Sequence, residues 1–568
     1  MSLGKAPAHQ DMFRTSAELC NQELTDASIY KLLHGACHRL FPDEAFADLF
    51  QNVGRRSVPP RVVAVVMVLQ RFEGLSDREA VERFTFDLRW KYAAGGLSFD
   101  YPGFVHTVLV DMRARLRTSS RPNRIFDAVL DVAKAAGLVG RKRVLDSTAL
   151  YDAVATQDTV TMLRGAIRAL LRVAAEPLAT ELRGVLKRDD DYAKAGKPVC
   201  DWDDEAAREA LVDALARDAH SVLAVLDGQD LPAAVKQAAE LVATVVGQDL
   251  EQREDGVFRI ARRVAKDRVI STVDPEARHG HKTAARGFDG YKAHVAIDPD
   301  SEIITSTAVT AANAGDASVA EELLGDVLEA DGKKVGAPNT GEAETGDEDE
   351  DDDDDGGRGL NTDASTTDPK SPGEATSAES TPAARNEPNA EVYGDASYGT
   401  ADLVERLEGA NIEANVKVQP PSARKGTFSQ DAFDIDTAAG TACCPNGVRV
   451  RLRVLPDRSA IADFAPRCDA CPLREQCTTS KTGRAIHIHP KHDTLARARK
   501  RQRDPAWKQR YRATRPKVER KIAHLMRRRH GGRRARLRGR ERIGHDFATL
   551  AAAVNLSRLA VLKTARAV

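Results

Sequence analysis

The chain has 568 residues, enough for about four domains at ~150 residues each. Hydrophobic residues make up 42% and charged residues 30%, so the sequence can bury sizeable cores and is not wholly disordered. The formal net charge of −1 conceals a segregation of charge. Residues 341–355 hold 11 acids and no bases, whereas residues 491–542 hold 22 Lys or Arg and 4 acids. A basic segment of this density usually binds phosphate, which indicates a nucleic-acid-binding part.

The apolar segments do not indicate a membrane protein. Residues 1–13 lack the apolar core of a signal peptide, and the longest apolar run, from Val62 to Leu69, is far shorter than a membrane span. Eight cysteines are too few for a disulfide scaffold. We therefore expect a soluble, cytoplasmic protein with no membrane partner.

Residues 1–135 are predicted to be mostly helical. From Pro60 onwards, two apolar helical stretches are separated by Gly74 and Ser76, and Ser76 is suited to cap the second helix. Two short helices around a tight turn can form a helix-turn-helix that reads DNA. A small helical packing domain fits the same pattern equally well.

The next part of the chain indicates a mixed α/β region. Residues 140–150 are predicted to form a short strand that ends at Asp146, and residues 158–268 return to helical spacing. Residues 287–310 show β-branched alternation on both sides of the sequence DPDS, which is a hairpin signature.

Residues 335–390 are rich in Gly, Pro, Ser, Thr and acids and are predicted to be a disordered acidic linker. Residues 391–418 then predict a strand, a helix and a second strand. A basic helical segment is expected from about residue 492 to 530, where Gly531 and Gly532 end it. A final amphipathic helix is expected at 544–563.

Two aspartates stand at predicted strand ends. Asp146 ends the first strand, and Asp395 follows the strand after the linker and precedes a helix. Carboxylates at strand ends of a mixed sheet point into the crevice where ligands bind, and two of them can share a pair of Mg²⁺ ions. Such metals can activate a nucleophile and stabilise the leaving oxygen of a phosphodiester. For each aspartate alone, a role as a cap or turn residue is the simpler alternative.

Glu519 is the third candidate ligand, on a helix expected to pack on the sheet. It flanks an apolar stripe at helical spacing and is one of few acids in a basic segment. Arg515 lies four residues earlier on the same helix face, where an ordinary surface ion pair is the alternative interpretation. Asp316 is a rival carboxylate that we expect to cap the next helix instead.

A cysteine cluster precedes this helix. Its spacing is C–x23–C–x2–C–x5–C, formed by Cys444, Cys468, Cys471 and Cys477. Four thiolates suit tetrahedral Zn²⁺, so we expect a structural zinc site in a small β-rich insertion. Cys443 can replace Cys444, and His487 or His489 can replace Cys477. A set of buried free thiols is the alternative.

Taken in order, these segments resemble a known family. They are SVPPRVVAVVMVLQRFEGLSDREAVERF, VLDST at Asp146, VDPEARHGHKT, GFDGYKAHVAID, TAANAGDASVA, YGDASYGT at Asp395, the cysteine motif, and YRATRPKVERKIAHL at Glu519. The set resembles the DDE-type transposases of prokaryotic insertion sequences over most of the chain. The resemblance implies an α/β fold with an RNase H-like mixed sheet and helical insertions. It also implies an all-α N-terminal domain and a small Cys-rich, zinc-ribbon-like insertion.

The implied organisation begins with a helical DNA-binding domain at 1–135. The first part of the catalytic domain follows at 140–334, with a helical insertion at about 158–268, and ends at the acidic linker 335–390. The second part covers 391–545, with the Cys-rich insertion at 419–490, and a C-terminal helix covers 546–568.

Carried over to this chain, the resemblance makes Asp146, Asp395 and Glu519 the catalytic triad that binds Mg²⁺ or Mn²⁺. Tyr511, Arg515 and Glu519 resemble the family's Tyr–Arg–Glu signature, although three residues rather than two separate Tyr511 from Arg515.

Further residues are expected to bind DNA or support the site. The lysine that usually follows the glutamate falls at Met526, with Arg527 beside it. The residues expected to bind DNA or support the site are Tyr511, Arg512, Arg515, Arg527 and Lys292. Trp507 and Tyr511 can stack on an unpaired base, and helical core packing is the commoner role of such aromatics.

The implied function is transposition. The protein would bind the terminal inverted repeats of its own insertion sequence as a homodimer or higher multimer, cleave the DNA, and join the freed 3′-hydroxyl to target DNA. Its partners would be the double-stranded DNA of the element ends and of the target, in the nucleoid of the cytoplasm. The alternatives are a nuclease of the same fold, and an inactive element remnant or DNA-binding regulator. A zinc-dependent structural scaffold would leave the carboxylates unexplained.

Overall fold

The computed structural model describes residues 15–51, 54, 56–153, 156–190, 192–194, 196–283, 286–328 and 390–566. The predicted acidic linker 335–390 lies outside the described residues, apart from Ala390. Within the described ranges, no helix is both long and apolar enough to cross a membrane.

The regular elements alternate between helical and β-rich parts of the chain. The α-helices are α1 (Ser16–Glu23), α2 (Ile29–Leu40), α3 (Pro60–Glu73), α4 (Asp77–Phe86), α5 (Leu88–Ala93), α6 (Thr107–Thr118), α7 (Arg124–Ala135), α8 (Thr159–Val173), α9 (Leu178–Gly184), α10 (Glu205–Leu226), α11 (Ala233–Asp249), α12 (Ala320–Leu323), α13 (Gly325–Leu328), α14 (Ala401–Gly409), α15 (Arg474–Cys477), α16 (His492–Arg503), α17 (Pro505–Thr514), α18 (Pro516–Leu525) and α19 (Arg540–Arg566). The strands are β1 (Lys142–Tyr151), β2 (Leu250–Gln252), β3 (Phe258–Ile260), β4 (Arg278–Thr283), β5 (Arg286–Ile297), β6 (Ile304–Ala311), β7 (Ala390–Gly394), β8 (Ile412–Val416), β9 (Asp434–Asp436), β10 (Thr441–Cys443), β11 (Arg449–Val454), β12 (Ala460–Asp463) and β13 (Ala485–Ile488).

Helices α1 to α7 form the N-terminal part of the fold. Helix α3 ends at Gly74, whose φ of 69° lies in the left-handed region that favours glycine. Ser76 then caps α4 through a capping box with Glu79. The predicted break between two helices at Gly74 and Ser76 is therefore confirmed. Helix α3 is buried from Val62 to Phe72, so it belongs to the core.

A six-stranded mixed sheet lies at the centre of the molecule. Strand β5 pairs with β1 on one edge, and on the other edge with β4 along its first half and β6 along its second half. These pairs are antiparallel, whereas β7 is parallel to β1 and β8 is parallel to β7. The predicted hairpin at 287–310 is confirmed as β5 and β6.

Strand β1 does not end at Asp146, so that boundary was predicted wrongly. It continues to Tyr151 because β5 pairs with it from Val144 to Tyr151. Strand β7 pairs only with residues 142–144 of β1. Beyond Asp146, the edge of β1 on the side of β7 is therefore not paired with β7 and can hydrogen-bond to another segment.

Helix α19 joins the N-terminal helices to the central sheet. It packs on α3, α7 and β6, and the amide side chain of Asn555 makes two 2.8 Å hydrogen bonds with the backbone N–H and carbonyl of Ile304. One continuous apolar core extends from α2 and α3 through α19 to the inner face of the sheet. The expected C-terminal helix at 546–568 begins earlier, at Arg540.

Helices α8 to α11 form a second core that is separate from the first. The helical prediction for 158–268 is wrong after Asp249, because β2 and β3 form a hairpin there. The signal was present in Asp255-Gly256, since Gly256 has a φ of 74° and such a pair favours a hairpin turn.

The Cys-rich part forms a five-stranded antiparallel sheet in the order β13-β12-β11-β10-β9. The basic segment that follows is not one helix but three, α16 to α18. Pro505 and Pro516 begin the second and third of these helices, because proline is tolerated in a first turn but not in a helix interior.

Candidate active site

Three carboxylates line one open cleft of about 570 Å³ on the central sheet. Asp146 lies within β1, Asp395 directly follows β7, and Glu519 is on α18, which packs on β1. The register of β1 and β7 explains why Asp146 and Asp395 are neighbours. Val144 pairs with Tyr393 in parallel, and each aspartate comes two residues after its member of this pair. Such strands are about 4.8 Å apart. The fold thus brings together the three carboxylates that the sequence singled out.

The guanidinium group of Arg515 lies among these three carboxylates. Its Nη2 is 2.9 Å from Asp146 Oδ1 and 3.6 Å from Asp395 Oδ2. Its Nη1 donates to Asp146 Oδ2 at 3.1 Å and lies 3.6 Å from Glu519 Oε1. Arg515 is only 8% exposed, so the interpretation of Arg515 and Glu519 as an ordinary surface pair is wrong. The sequence did not reveal that one arginine bridges all three acids.

The three carboxylates differ in their exposure. The side chain of Asp146 is 12% exposed, that of Asp395 38% and that of Glu519 62%. Burial raises the pKa of Asp146, and the charge of Arg515 and the N–H of Ser147 offset part of this rise. Asp146 is therefore the deep, fixed member of the site, and Glu519 is the member most open to solvent.

Tyr511 and Ser397 fix the turn that carries Asp395. The hydroxyl of Tyr511 donates to the carbonyl of Gly394 at 3.1 Å, and the Asp395 carboxylate accepts from the N–H of Ser397 at 3.0 Å. Trp507 is buried and stacks on Tyr511 with 4.8 Å between ring centroids. These two aromatics therefore pack beside Asp395, as the alternative interpretation held.

A fourth carboxylate, Asp316, lines the same cleft with different partners. Its Oδ1 accepts from Lys292 Nζ at 2.9 Å and its Oδ2 accepts from Ser147 Oγ at 2.5 Å. Lys292 Nζ also donates to the carbonyl of Ala314 at 2.9 Å. The expectation that Asp316 caps the next helix is wrong, because its side chain is bound to β1 and β5 instead. The partly buried Lys292, rather than a shared cation site, balances its charge.

His294 lies behind the carboxylates in the sheet and is fully buried. Its Nδ1 is 3.0 Å from the hydroxyl of Tyr398, and its Nε2 is 2.9 Å from the hydroxyl of Thr310. Burial lowers the pKa of His294 to about 4, so its ring is neutral at neutral pH. Two hydroxyl groups therefore satisfy both ring nitrogens without adding charge behind the cleft.

The donors of the cleft can be compared with what a metal ion requires. No group of three or more His, Cys, Asp or Glu in the described part of the chain is arranged to hold an ion. One cation, the Arg515 guanidinium, nevertheless lies within 2.9 to 3.6 Å of all three carboxylates. The guanidinium thus supplies one positive charge that the three carboxylates share. An all-oxygen donor set of this kind suits hard divalent ions such as Mg²⁺ or Mn²⁺.

Three family models match the chain, in consecutive ranges. A model described as a transposase domain matches residues 26–115, and two models described as transposase DDE domains match residues 221–336 and 443–560. The chain belongs to the DDE transposases. The family expected from the ordered motifs is thereby confirmed. No curated protein and no solved structure matches the chain.

The matched ranges of this DDE transposase include Glu519 and the cysteine cluster but not Asp146 or Asp395. The positions of those two aspartates in the site rest on the register of β1 and β7. The matched domains support a transposase, and membership of the family implies DNA binding.

Much of the basic segment in this transposase is paired within the protein. Arg497 and Arg501 form ion pairs with Glu408 on α14, and Arg499 and Arg503 form ion pairs with Asp431 before β9. These pairs fasten α16 to α14 and to the segment before β9. Much of the charge of α16 is thus used in folding.

Of the predicted supporting residues, Lys292, Tyr511 and Arg515 lie at the site, as described above. Arg512 and Arg527 are exposed and are not among the residues that line the cleft. Neither has an ion-pair or hydrogen-bond partner for its side chain within the described ranges. Their assignment to DNA binding stays a prediction.

The connection between α18 and α19, residues 526–539, contains seven arginines, and we call it the arginine-rich connection. Its chain pairs with the end of β1, because Tyr151 N–H donates to the carbonyl of Arg533 at 3.0 Å and Ala535 N–H donates to the carbonyl of Tyr151 at 2.8 Å. Five of its arginines are exposed and have no side-chain ion pair or hydrogen bond among the described residues: Arg527, Arg528, Arg533, Arg534 and Arg538. The sequence did not show that this segment adjoins β1.

The same connection also binds the turn between α3 and α4. His530 is buried and its Nδ1 hydrogen-bonds to the carbonyl of Phe72, while Arg71 Nη1 donates to the carbonyl of His530 at 3.3 Å. A Cβ atom at Gly74 would overlap the carbonyl oxygen of Arg529. The N-terminal helices are thus fitted closely against the segment that borders the cleft.

The four predicted zinc ligands line one small cavity in the Cys-rich part, together with Phe433 and Phe464. They are free thiols, and the thiol of Cys468 donates to the carbonyl of Phe464 at 3.2 Å. Their arrangement is not that of a metal cluster within the described residues. The fold nevertheless brings the four predicted ligands to one place.

Proposed function

We propose that this DDE transposase binds the terminal inverted repeats of its own insertion sequence and catalyses metal-dependent DNA cleavage and strand transfer. The observation that carries the proposal is the convergence of Asp146, Asp395 and Glu519 on one cation in an open cleft. Carboxylates that converge in an open cleft are suited to hold the metal ions that promote phosphodiester chemistry.

The topology of the sheet supports the same conclusion. Strands β6, β5 and β1 are successive antiparallel neighbours, and β7 and β8 continue the sheet in parallel from β1. This order supports the RNase H-like catalytic fold that the resemblance implies. The carboxylates stand on its central strand, on the parallel strand beside it, and on a helix that packs over them.

In this proposal, Asp146, Asp395 and Glu519 would hold Mg²⁺ or Mn²⁺, which when bound supplies activation of the attacking hydroxyl and stabilisation of the leaving oxygen. Arg515 holds the buried Asp146 carboxylate in a two-point contact and offsets its repulsion from Asp395. Lys292 and Ser147 hold Asp316, so that this fourth charge stays fixed beside the site. The oxygen of a water molecule attacks the scissile phosphorus, and the DNA 3′-oxygen leaves and takes a proton to become a free 3′-hydroxyl.

Joining to target DNA repeats this chemistry with a different nucleophile. The freed 3′-hydroxyl attacks a phosphorus of the target strand, one new phosphodiester bond forms, and the target 3′-oxygen leaves. The number of phosphodiester bonds is conserved, so the step needs no external energy source and no covalent protein–DNA intermediate. Two ends must be joined together, which motivates a homodimer or higher multimer on the DNA.

The proposal is tested with purified protein and a labelled DNA fragment that carries the end of the element. Asp146→Asn, Asp395→Asn and Glu519→Gln are each expected to lower the cleavage rate in Mg²⁺ by about a thousandfold or more, because each removes charge that stabilises the transition state. The fragment should still be shifted in a gel by each variant. Asp111→Asn, which changes an exposed acid on α6, is the matched control and should cleave normally.

The same assay separates the alternatives. Normal cleavage by all three variants would show that the triad is assigned wrongly. Cleavage without joined products would indicate a nuclease of the same fold. Binding of the end fragment without cleavage by the intact protein would indicate an inactive copy or a DNA-binding regulator.

We include a structural Zn²⁺ ion in the proposal because four thiols line one cavity. Elemental analysis of the purified protein is expected to find one zinc ion per chain, and Cys468→Ser should lose it. Cys200→Ser, which changes a cysteine outside that cavity, is the control. Zinc-free protein of unchanged thermal stability would contradict this part of the proposal.

A further inference from the structure

The cleft extends beyond the three carboxylates to the end of β1. Besides the acids, it is lined by Tyr151, Phe288, Lys282 and Arg533. Tyr151 lies five residues after Asp146 on an extended strand, which places the two Cα atoms about 17 Å apart. The cleft therefore has two ends, an acidic one at Asp146 and a second one at Tyr151.

The far end carries positive charge without partners. Lys282 and Arg533 are exposed, and neither side chain has an ion pair or hydrogen bond with another described residue. This contrasts with the lysine and arginine at the acidic end, since Lys292 is bound to Asp316 and Arg515 to Asp146. The far end is thus the part of the cleft where a cationic side chain is free to bind a ligand.

The backbone at the far end is held firmly in place. The chain at Arg533 is hydrogen-bonded to Tyr151 on one edge of β1, while Gly290 of β5 pairs with Tyr151 on the other edge. Tyr151 is 45% exposed, and its ring meets the ring of the buried Phe288 edge to face, with centroids 6.0 Å apart. Two cations without partners among the described residues therefore line the same cleft as a partly exposed aromatic ring.

We propose that this far end is a second DNA-backbone site, in which Arg533 and Lys282 bind one phosphate of the substrate at a distance from the bond that is cleaved. The proposal rests on the proposed function and adds the position of a contact. The phosphate is the ligand that fits, because both cations lack partners and the cleft is continuous with the carboxylates. At 3.4 Å of axial rise per nucleotide, about 17 Å corresponds to about five nucleotide steps along a duplex.

Such a contact would work without a metal ion. Arg515 offsets only one of the three carboxylate charges, so phosphates near Asp146 are repelled unless a metal ion is bound there. Phosphates at Arg533 are attracted in either case. The far end would therefore orient the end DNA in the cleft before any metal is bound.

The test measures binding of the end fragment in EDTA, so that cleavage does not interfere. Arg533→Ala and Lys282→Ala are each expected to weaken binding and to reduce the slope of log K against log salt by about 0.9, the value for one lost phosphate contact. Arg528→Ala removes an exposed, unpaired arginine of the same connection that does not line the cleft. We expect it to leave the phosphate profile described next unchanged.

The position of the contact is tested with fragments in which one phosphate at a time is replaced by an uncharged methylphosphonate. Intact protein should bind one such fragment more weakly, with the replacement several nucleotides from the cleaved bond. Arg533→Ala should discriminate less between that fragment and the unmodified fragment, and the double variant Arg533→Ala/Lys282→Ala should bind both equally well. If the profiles of Arg533→Ala, Lys282→Ala and intact protein coincide, the second site does not exist.

A failure of the proposed function would look different. Intact protein that binds no end fragment at all would overturn both proposals. Intact protein that binds and cleaves, with identical phosphate profiles in all variants, would overturn only the second site.

Discussion

Arg515 contacts both carboxylate oxygens of Asp146, with N–O distances of 2.9 and 3.1 Å, and both side chains are almost completely buried. A buried ion pair of this kind is costly to break, because the remaining charge loses its partner without regaining water. The contact therefore contributes to the stability of the site as well as to its charge.

Arg515→Met is expected to lower the free energy of unfolding by about 3 kcal/mol in EDTA, because it leaves Asp146 buried and unpaired. Arg515→Lys keeps the charge but not the two-point contact and should lose less. Urea unfolding measures both changes. Added Mg²⁺ should raise the melting temperature of Arg515→Met more than that of intact protein, since the three carboxylates of this variant lack the positive charge of Arg515. Arg512→Met, an exposed change nearby, is the control, and equal stability of the two methionine variants would contradict the prediction.

The variant Asp316→Asn tests whether the Asp316 carboxylate has a structural or a catalytic role, and we expect a structural one. The change removes the partner of Lys292 and is expected to cost about 2 kcal/mol of stability. Cleavage well below the melting temperature should stay within about one order of magnitude of the intact protein, whereas Asp146→Asn is expected to lose about a thousandfold or more. Cleavage by Asp316→Asn as slow as that of Asp146→Asn would instead show that Asp316 takes part in the reaction.

Gly74→Ala is expected to lower the free energy of unfolding by about 2 to 4 kcal/mol, because it adds left-handed strain and an overlap with the carbonyl of Arg529. Gly137 has a similar φ of 63° but open space around the Cβ position, so Gly137→Ala should cost only about 1 kcal/mol. Chemical denaturation of the two variants measures the difference. Equal losses would show that the fit of the turn against the arginine-rich connection contributes nothing.

Stability is expected to fall as the pH is lowered from 6.5 towards 4. Burial lowers the pKa of His530 to about 4, so the unfolded chain takes up this proton at a higher pH than the folded chain does. The loss from His530 approaches about 3 kcal/mol at pH 4. His294 titrates over the same window, so His530→Gln should reduce the pH dependence of the unfolding free energy without abolishing it. An unchanged dependence in His530→Gln would contradict the assignment.

The elements with a clear local sequence pattern were predictable from the sequence. The hairpin of β5 and β6, the break at Gly74, and the strand, helix and strand from β7 to β8 follow from local patterns that burial and turn chemistry enforce. The family was also predictable, because ordered motifs identify it without knowledge of their contacts.

The relationships between distant residues were not predictable in this way. The extension of β1 to Tyr151 depends on its pairing with β5, which is separated from it by a whole helical part. The bridging position of Arg515 depends on the register of β1 and β7 and on the packing of α18. A sequence pattern indicates which residues carry charge, but the partner of each charge is set by tertiary packing. For the same reason the pairing of Arg497 and Arg501 with Glu408 could not be foreseen.

Helix α19 completes the core of the N-terminal helices and also covers the central sheet through Asn555 and Ile304. During synthesis on the ribosome, α3 emerges long before α19 does, and until then its apolar surface lacks a large part of its covering. Contacts between such distant segments also slow folding. Assembly of the carboxylate cleft, whose border is tied to α3 by the arginine-rich connection, is therefore a late event in the life of each newly made chain.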